Sequence, residues 1–283
     1  MNWLKLARNL TLQVEPTNAC NLDCKICMRR NFQRPVRFLP LDEFTKILAS
    51  GNFGYVGLHG WGEPLLNQQL FDMVEYAESK GVSTNLTTNA TLLEDNMDGI
   101  LKSGLREIAF GIYEKELFTK VIPQIERLIE EKGRRNFDRP KTYLDITIYK
   151  DNLEQITELV RLASDMGIDA VVLHRLFNVY KVDPSVKYIT AGEEQELFAR
   201  LRRLASSLKL ELYLPHKHSY PCRVVNRSIF VTVEGKVSPC TYLPDVYLGD
   251  AMEQGVDKVM QSRVYKDFIK NMKNHPICSR CQW

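Results

Sequence analysis

The sequence predicts an α/β protein in which a partial (β/α)6 barrel precedes a small C-terminal region with a hairpin, a helix and several cysteines. Short β-rich runs alternate with helical runs from residue 10 to about residue 208, which is typical of βα units around a parallel sheet. About six units fit this length, whereas a closed eight-unit barrel typically takes around 250 residues. The pattern changes at Pro215. We therefore predict two domains, residues 1–214 and residues 215–283.

Each predicted element follows from a hydrophobic periodicity. Apolar residues at helical spacing predict helices along residues 117–129 and 153–163. Two β-rich runs, Ser228–Val233 and Lys236–Ser238, flank Glu234-Gly235 and predict a hairpin, which a helix over Gly255–Lys273 follows. The barrel strands are predicted at Leu10–Val14, Tyr55–His59, Val82–Thr88, Glu107–Gly111, Thr142–Ile148 and Ala170–His174.

The composition is that of an ordinary globular protein with little net charge. Of 283 residues, 44% are hydrophobic and 26% are charged, which excludes a disordered chain. The net charge of +3 is too small for a dedicated nucleic-acid-binding protein. The sequence lacks a window of about 20 apolar residues, and its N-terminus lacks the apolar run of a signal peptide. We therefore expect a cytoplasmic protein whose partners include neither nucleic acid nor membrane.

Three of the seven cysteines lie in the loop after the first predicted strand. Short cysteine spacings favour metal ligation in a reducing compartment over disulfide bonds. Cys20, Cys24 and Cys27 form a C-x3-C-x2-C motif, and thiolates this close together can converge on one metal centre. A zinc site would need a fourth ligand, which the loop lacks. A cubane iron–sulfur cluster held by three cysteines instead keeps one iron open for another ligand.

The segment from Cys20 to Cys27, CNLDCKIC, resembles the signature of the radical S-adenosylmethionine (SAM) enzymes. The resemblance implies that the three cysteines hold a [4Fe–4S] cluster whose open iron binds the amino and carboxylate groups of SAM. It also implies reductive cleavage of SAM to a 5′-deoxyadenosyl radical, which takes a hydrogen atom from the substrate. The family commonly has an aromatic residue near the adenine before the third cysteine. Here that residue is Ile26, which keeps an apolar role only.

Two later turns resemble the family's SAM-binding motifs. The second predicted strand ends in HGWGEP, which is similar to the family's G-x-G-E-P turn and implies that Gly60, Gly62 and Glu63 hold the SAM ammonium group. Glycines let the main chain approach a ligand, and a carboxylate accepts strong hydrogen bonds from a cation. The third strand ends in Thr88-Asn89-Ala90, which resembles the T-N-G step with alanine in place of glycine. Asn89 either contacts SAM or caps the next helix.

The other four cysteines, Cys222, Cys240, Cys278 and Cys281, lie in the C-terminal region. Their pattern resembles the SPASM extension, and especially its shorter form, twitch, which implies one auxiliary [4Fe–4S] cluster ligated entirely by protein. Taken alone, these four cysteines fit a structural zinc site equally well. The radical SAM signature upstream favours iron and sulfur.

The resemblance implies an oxidoreductase, similar in architecture to the twitch-type aminocyclitol dehydrogenase. The auxiliary cluster would accept an electron while a base removes a proton from a small-molecule substrate, giving a two-electron oxidation, with flavodoxin or ferredoxin as the electron donor. One alternative is a peptide or protein maturase that uses the same radical chemistry. Another, from a different class, is a zinc-stabilised binding module without catalysis.

Catalytic candidates are expected at the C-terminal ends of the strands, where such folds place their sites. The candidates are His59, Trp61, Tyr113, Tyr149, His174 and Arg175. Each of them also fits a packing role. The arginines after the cysteine loop, Arg29, Arg30, Arg34 and Arg37, fit either attraction of an anionic ligand or donor protein or a solvated loop. We interpret His216-Lys217-His218 as an exposed polar loop rather than a metal tract.

Overall fold

The computed structural model describes residues 10–113, 115–177, 179, 183–218, 220 and 222–281. Within these ranges, ten strands form one sheet in the order β10-β9-β8-β1-β2-β3-β4-β5-β6-β7. The strands are β1 Leu10–Val14, β2 Phe53–Leu58, β3 Ser83–Thr88, β4 Glu107–Gly111, β5 Lys141–Ile148, β6 Ala170–Arg175, β7 Glu211–Tyr213, β8 Ser228–Val231, β9 Lys236–Ser238 and β10 Gly249–Asp250.

Strands β1 to β7 are parallel to their neighbours, as repeated βα units require. The six predicted barrel strands are confirmed to within two residues. Strand β7 was not predicted, because Glu211-Leu212-Tyr213 is too short to show a periodicity. The helices of this part are α1 Leu41–Ala49, α2 Leu70–Ser79, α3 Met97–Lys102, α4 Lys115–Arg134, α5 Ile156–Asp165 and α6 Ala191–Leu208.

The C-terminal region continues the sheet. The predicted hairpin forms between β8 and β9, and β8 pairs in parallel with β1, with Leu12 opposite Ile229. The predicted helix over residues 255–273 is wrong in one respect, because it is two helices, α8 Val256–Gln261 and α9 Arg263–Asn271. Ser262 separates them: its backbone is extended, and its side chain accepts a hydrogen bond from the N–H of Tyr265 at 3.2 Å. A short helix, α7 Arg223–Arg227, precedes β8.

The two faces of the curved sheet differ in polarity. Along β5, Thr142, Leu144, Ile146 and Ile148 are buried, and the alternate residues, among them Asp145, line a cavity on the other face. This alternation is the two-residue period of a strand. The sheet thus presents polar side chains inward, while its apolar side chains form the core.

In the described part of the chain, every helix is too short or too polar to cross a membrane. The predicted absence of a signal peptide concerns the N-terminus, of which residues 1–9 lie outside the described residues.

Candidate active site

A cavity of about 620 Å³ lies on the inner face of the sheet, between the cysteine loop, the turn after β2 and part of the C-terminal region. Most of the predicted site residues line it. They are Cys20, Cys24, Ile26, Cys27, His59, Gly60, Trp61, Gly62, Glu63, Asn89, Tyr113, His174, Arg175 and Cys240. Of the other predicted residues, Cys222 lines a neighbouring cavity of about 790 Å³.

The turn after β2 packs directly against the backbone of the cysteine loop. The N–H of Glu63 donates to the carbonyl of Ala19 at 2.7 Å. A β-carbon on Gly62 would lie 2.2 Å from the carbonyl oxygen of Thr17 and 2.5 Å from that of Ala19. Such distances are far below van der Waals contact, so glycine is required at position 62 for this approach.

Glu63 joins the turns after β2 and β3. Its side chain is 2% exposed and accepts hydrogen bonds from Thr88 Oγ1 at 2.7 Å, the N–H of Asn89 at 2.8 Å and the N–H of Leu65 at 3.1 Å. Burial raises the pKa of Glu63, and these hydrogen bonds oppose the shift. The carboxylate therefore orders both turns of the cavity wall.

Asn89 faces the cysteine loop. Its Nδ2 donates to Asn21 Oδ1 at 2.9 Å and lies 3.9 Å from Cys20 Sγ, while its Oδ1 accepts from the N–H of Thr91 at 3.0 Å. Asn89 therefore caps a local turn, whereas Asn96 occupies the N-cap position of α3. Ala90 has a φ of 64°, a left-handed conformation that explains why glycine suits this position in the related motif.

Asp145 and His174 form a pair in the wall of the cavity. His174 Nε2 lies 3.3 Å from Asp145 Oδ2, and the two side chains are 29% and 17% exposed. Burial opposes the charged imidazole, but the charge and hydrogen bond of Asp145 outweigh it, so the pKa of His174 is raised. Asp145 was not among the predicted site residues, although its place between apolar residues in TYLDITI is a signal for an inward polar residue.

His59 lies beside this pair and has the opposite shift. Burial lowers the pKa of His59 to about 4, against an opposing effect of the Asp145 charge. Its Nδ1 lies 3.2 Å from Gln13 Nε2, and Gln13 Oε1 accepts from Thr241 Oγ1 at 2.6 Å. His59 is therefore a neutral imidazole, tied through Gln13 to the C-terminal region.

Trp61 connects the same turn to the second cysteine set. Its Nε1 donates to the carbonyl of Thr241 at 3.1 Å, and its ring centroid is 6.3 Å from that of Tyr242 in an edge-to-face arrangement. The N–H of Tyr242 donates to Cys240 Sγ at 3.3 Å. Trp61 thus forms a wall shared by the barrel and the C-terminal region.

Several predicted substrate contacts have structural partners instead. Arg175 pairs with Glu194 on α6 at 2.5 Å, and it donates to the carbonyls of Pro215 and His216. Tyr149 is buried, and its hydroxyl donates to the carbonyl of Tyr113 at 3.0 Å.

The side chains of the arginines after the cysteine loop bond to other residues of the same chain. Arg34 pairs with the fully buried Glu15 at 2.9 Å and with Glu234 of the hairpin turn at 3.1 Å. Arg37 donates to the carbonyl of Val233 at 2.8 Å and pairs with Glu43. These two arginines fasten the hairpin to the barrel. Arg29 donates to the carbonyl of Leu22, and Arg30 pairs with Asp23.

Family models match two parts of the chain. The radical SAM superfamily model matches residues 14–114, and the model of the SPASM iron–sulfur cluster-binding domain matches residues 222–282. The chain is a radical SAM enzyme with a SPASM domain. This identification confirms the expected enzyme and argues against a non-catalytic zinc module.

Relatives of this radical SAM enzyme carry out different tasks. A tungsten-containing aldehyde ferredoxin oxidoreductase cofactor-modifying protein from Pyrococcus furiosus is 22% identical, covering 95% of this chain and 86% of that protein. The PqqA peptide cyclase of Bradyrhizobium diazoefficiens is 28% identical, covering 82% of this chain and 66% of that protein. The structure of Streptococcus suis SuiB bound to S-adenosylmethionine has a TM-score of 0.78 at 18% identity, covering 97% of this chain and 71% of SuiB. The likeness to SuiB confirms the predicted fold.

The two domains imply SAM, a radical SAM [4Fe–4S] cluster and auxiliary iron–sulfur binding, and the cysteine chemistry fits these groups. Burial raises the pKa of Cys27. Burial, with repulsion from Cys222, Cys281 and Cys278, raises the pKa of Cys240 to about 12. Such thiols need a nearby positive charge to ligate as thiolates, and iron supplies one. Among the described residues, no group of three or more His, Cys, Asp or Glu side chains is arranged to hold a single metal ion. The fit of the cysteines to iron–sulfur clusters therefore rests on where they lie and on the charge that their thiolates need.

Proposed function

We propose that this radical SAM enzyme is an oxidoreductase that removes two electrons and two hydrogens from a small-molecule substrate bound in the 620 Å³ cavity. One observation carries the proposal. The cavity has Cys20, Cys24 and Cys27 in one wall and Cys240 in another, with the polar face of the sheet between them. A substrate in this space lies within reach of both cysteine sets.

In this proposal residues 1–214 are the radical SAM core, which binds SAM and the first cluster. Residues 215–283 are the auxiliary region, which binds the second cluster. When bound, SAM and the first cluster supply a 5′-deoxyadenosyl radical that takes a hydrogen atom, and the auxiliary [4Fe–4S] cluster takes up an electron. The first cluster is assigned to the three cysteines of the loop. SAM is assigned to Gly60, Gly62, Glu63, Asn89 and Ile26. The auxiliary cluster is assigned to Cys222, Cys240, Cys278 and Cys281.

The Asp145–His174 pair is assigned the proton that the substrate loses. Oxidation of a secondary alcohol to a ketone releases one hydrogen atom, one electron and one proton, so the site needs a proton acceptor. Of the three carboxylates that line the cavity, Glu63 accepts three hydrogen bonds and Glu107 accepts from the hydroxyls of Tyr55 and Tyr143. Asp145 instead faces the imidazole of His174 at 3.3 Å, which leaves it best placed to accept a proton.

The alternative function is a peptide or protein maturase, and one observation favours it. The neighbouring 790 Å³ cavity shares Val172, His174, Tyr213 and Val224 with the first cavity, so a longer substrate could extend from one into the other. A structure of the fold relative SuiB contains the precursor peptide SuiA, and another relative is a peptide cyclase.

The test is anaerobic reconstitution followed by metal analysis and turnover with flavodoxin or ferredoxin as the proposed electron donor. We expect about eight irons per chain from two cubanes and formation of 5′-deoxyadenosine. Deuterated alcohols and deuterated peptides then separate the two functions, because only the true substrate class transfers deuterium into 5′-deoxyadenosine. Stoichiometric zinc without iron would overturn both functions.

A further inference from the structure

His218 contains a buried nitrogen whose partner is missing from the described residues. Its Nε2 is inaccessible to solvent and has no hydrogen-bond partner among them. Leaving such a group unsatisfied is costly, and native proteins rarely do so. The expectation of an exposed polar loop is therefore wrong for His218, although His216 and Lys217 are exposed.

The surroundings of His218 place it beside the C-terminal cysteines. Its ring centroid lies 4.8 Å from that of Tyr220 in an edge-to-face contact, and the Tyr220 hydroxyl donates to the carbonyl of Cys278. His218 and Cys222 also line the same 790 Å³ cavity.

We propose that His218 Nε2–H donates a hydrogen bond to a sulfur of the auxiliary cluster and thereby raises the reduction potential of that cluster. This inference rests on the proposed assignment of a [4Fe–4S] cluster to the four C-terminal cysteines. Cluster sulfides and thiolates accept hydrogen bonds, and such bonds help to set the potential. Reduction adds negative charge to the cluster, so an N–H donor stabilises the reduced form more than the oxidised form. His218 would then make the auxiliary cluster a better electron acceptor.

The experiment is an EPR-monitored redox titration of the full chain after anaerobic reconstitution. Cys20→Ala, Cys24→Ala and Cys27→Ala are introduced together, so that the titrated signal belongs to the auxiliary cluster. His218→Phe keeps an aromatic ring against Tyr220 but removes the donor. His216→Phe is the matched control, because His216 belongs to the same segment and is exposed.

We expect His218→Phe to lower the ratio of reduced to oxidised cluster about tenfold at a fixed potential, which corresponds to about 59 mV for a one-electron couple. His216→Phe leaves the midpoint unchanged. His218→Leu, which also lacks a donor, is expected to give the same shift and serves if the Phe variant does not incorporate iron. An unchanged midpoint in an iron-loaded variant overturns the inference.

A spectroscopic measurement covers the case in which neither variant binds iron. Histidine labelled with ¹⁵N is incorporated into protein carrying His275→Phe, because His275 is the other imidazole close in sequence to Cys278. Nitrogen hyperfine coupling to the reduced auxiliary cluster supports the His218 contact, and its absence overturns it. Zinc instead of iron at the four cysteines overturns the proposed function together with this inference, whereas iron with an unshifted potential overturns the inference alone.

Discussion

Glu63 accepts a hydrogen bond from the backbone N–H of Asn89 at 2.8 Å, so the turns after β2 and β3 are held together by one buried carboxylate. The same glutamate donates its own backbone N–H to Ala19 in the cysteine loop at 2.7 Å. Three segments that lie up to 70 residues apart in the sequence, at Ala19, Glu63 and Asn89, thus form one wall of the cavity. Disturbing any one of them is expected to disturb SAM binding.

The close approach at Gly62 gives the first prediction. Gly62→Ala would place a β-carbon 2.2 Å from the carbonyl oxygen of Thr17, which forces the turn away from the cysteine loop. Overpacking of this kind costs about 1–3 kcal/mol, so we expect SAM affinity to fall about tenfold or more. Equilibrium binding of SAM to the reconstituted protein measures the effect. The control is Gly192→Ala, since a β-carbon there meets no described atom within 4 Å; equal affinities of the two variants would contradict this explanation.

The Asp145–His174 pair gives the second prediction. Asp145→Asn keeps the size of the side chain but removes the proposed proton acceptor, and general bases contribute about 10²–10⁴-fold to rates. We expect reductive cleavage of SAM to persist, while the yield of oxidised product per 5′-deoxyadenosine falls at least about 100-fold. Asp169→Asn is the control, because Asp169 bonds Thr142 and does not line the 620 Å³ cavity. Full coupling of product to 5′-deoxyadenosine in the Asp145 variant would exclude Asp145 as the acceptor.

The buried ion pair of Glu15 and Arg34 gives the third prediction. Arg34→Met leaves the fully buried Glu15 without its guanidinium partner, and breaking a buried pair in this way costs about 3–5 kcal/mol of unfolding free energy. Arg30→Met removes the pair with Asp23, whose side chain is 68% exposed, and is expected to cost less than about 1 kcal/mol. Urea denaturation of the metal-free proteins measures both. Similar losses of unfolding free energy in the two variants would show that Arg34 does not stabilise the contact between the barrel and the hairpin.

The lowered pKa of His59 gives a prediction about pH. The pKa of His59 is about 4 in the folded chain, against 6.5 for an ordinary histidine, so between pH 6.5 and 4 the unfolded chain binds a proton that the folded chain does not. The contribution of His59 to stability is therefore fully present above the unfolded-state pKa and is lost as the pH falls from 6.5 towards 4. From pH 7 to pH 5, His59 is expected to lower the free energy of unfolding by about 2 kcal/mol.

The comparison protein is His59→Gln, which does not titrate in this range. Urea denaturation at both pH values should show a smaller loss of stability in this variant than in the unmodified protein. An equal loss in both proteins would mean that His59 keeps an ordinary pKa in the folded state.

The sequence predicted the parts of this enzyme that depend on local patterns. The barrel strands followed from periodicity, and both cysteine sets from their spacing. Asp145 was missed because the alternation along a strand predicts which residues face inward, but not which inward carboxylates bond to other side chains. Those bonds depend on residues distant in the sequence, as with Tyr55 and Glu107. The role of Arg34 depends on Glu234, which lies 200 residues away. The break at Ser262 is a local N-cap whose serine the helical pattern concealed.

The proposed chemistry requires Cys20, Cys24 and Cys27 to hold a cluster with one iron open to SAM. The EPR spectrum of the reduced, oxygen-free, reconstituted protein, recorded before and after SAM is added, tests this requirement. We expect SAM to change the spectrum of the unmodified protein and of Cys240→Ala, and to have no effect on that of Cys24→Ala. A spectrum of the unmodified, iron-loaded protein that SAM leaves unchanged would exclude an open iron at these three cysteines.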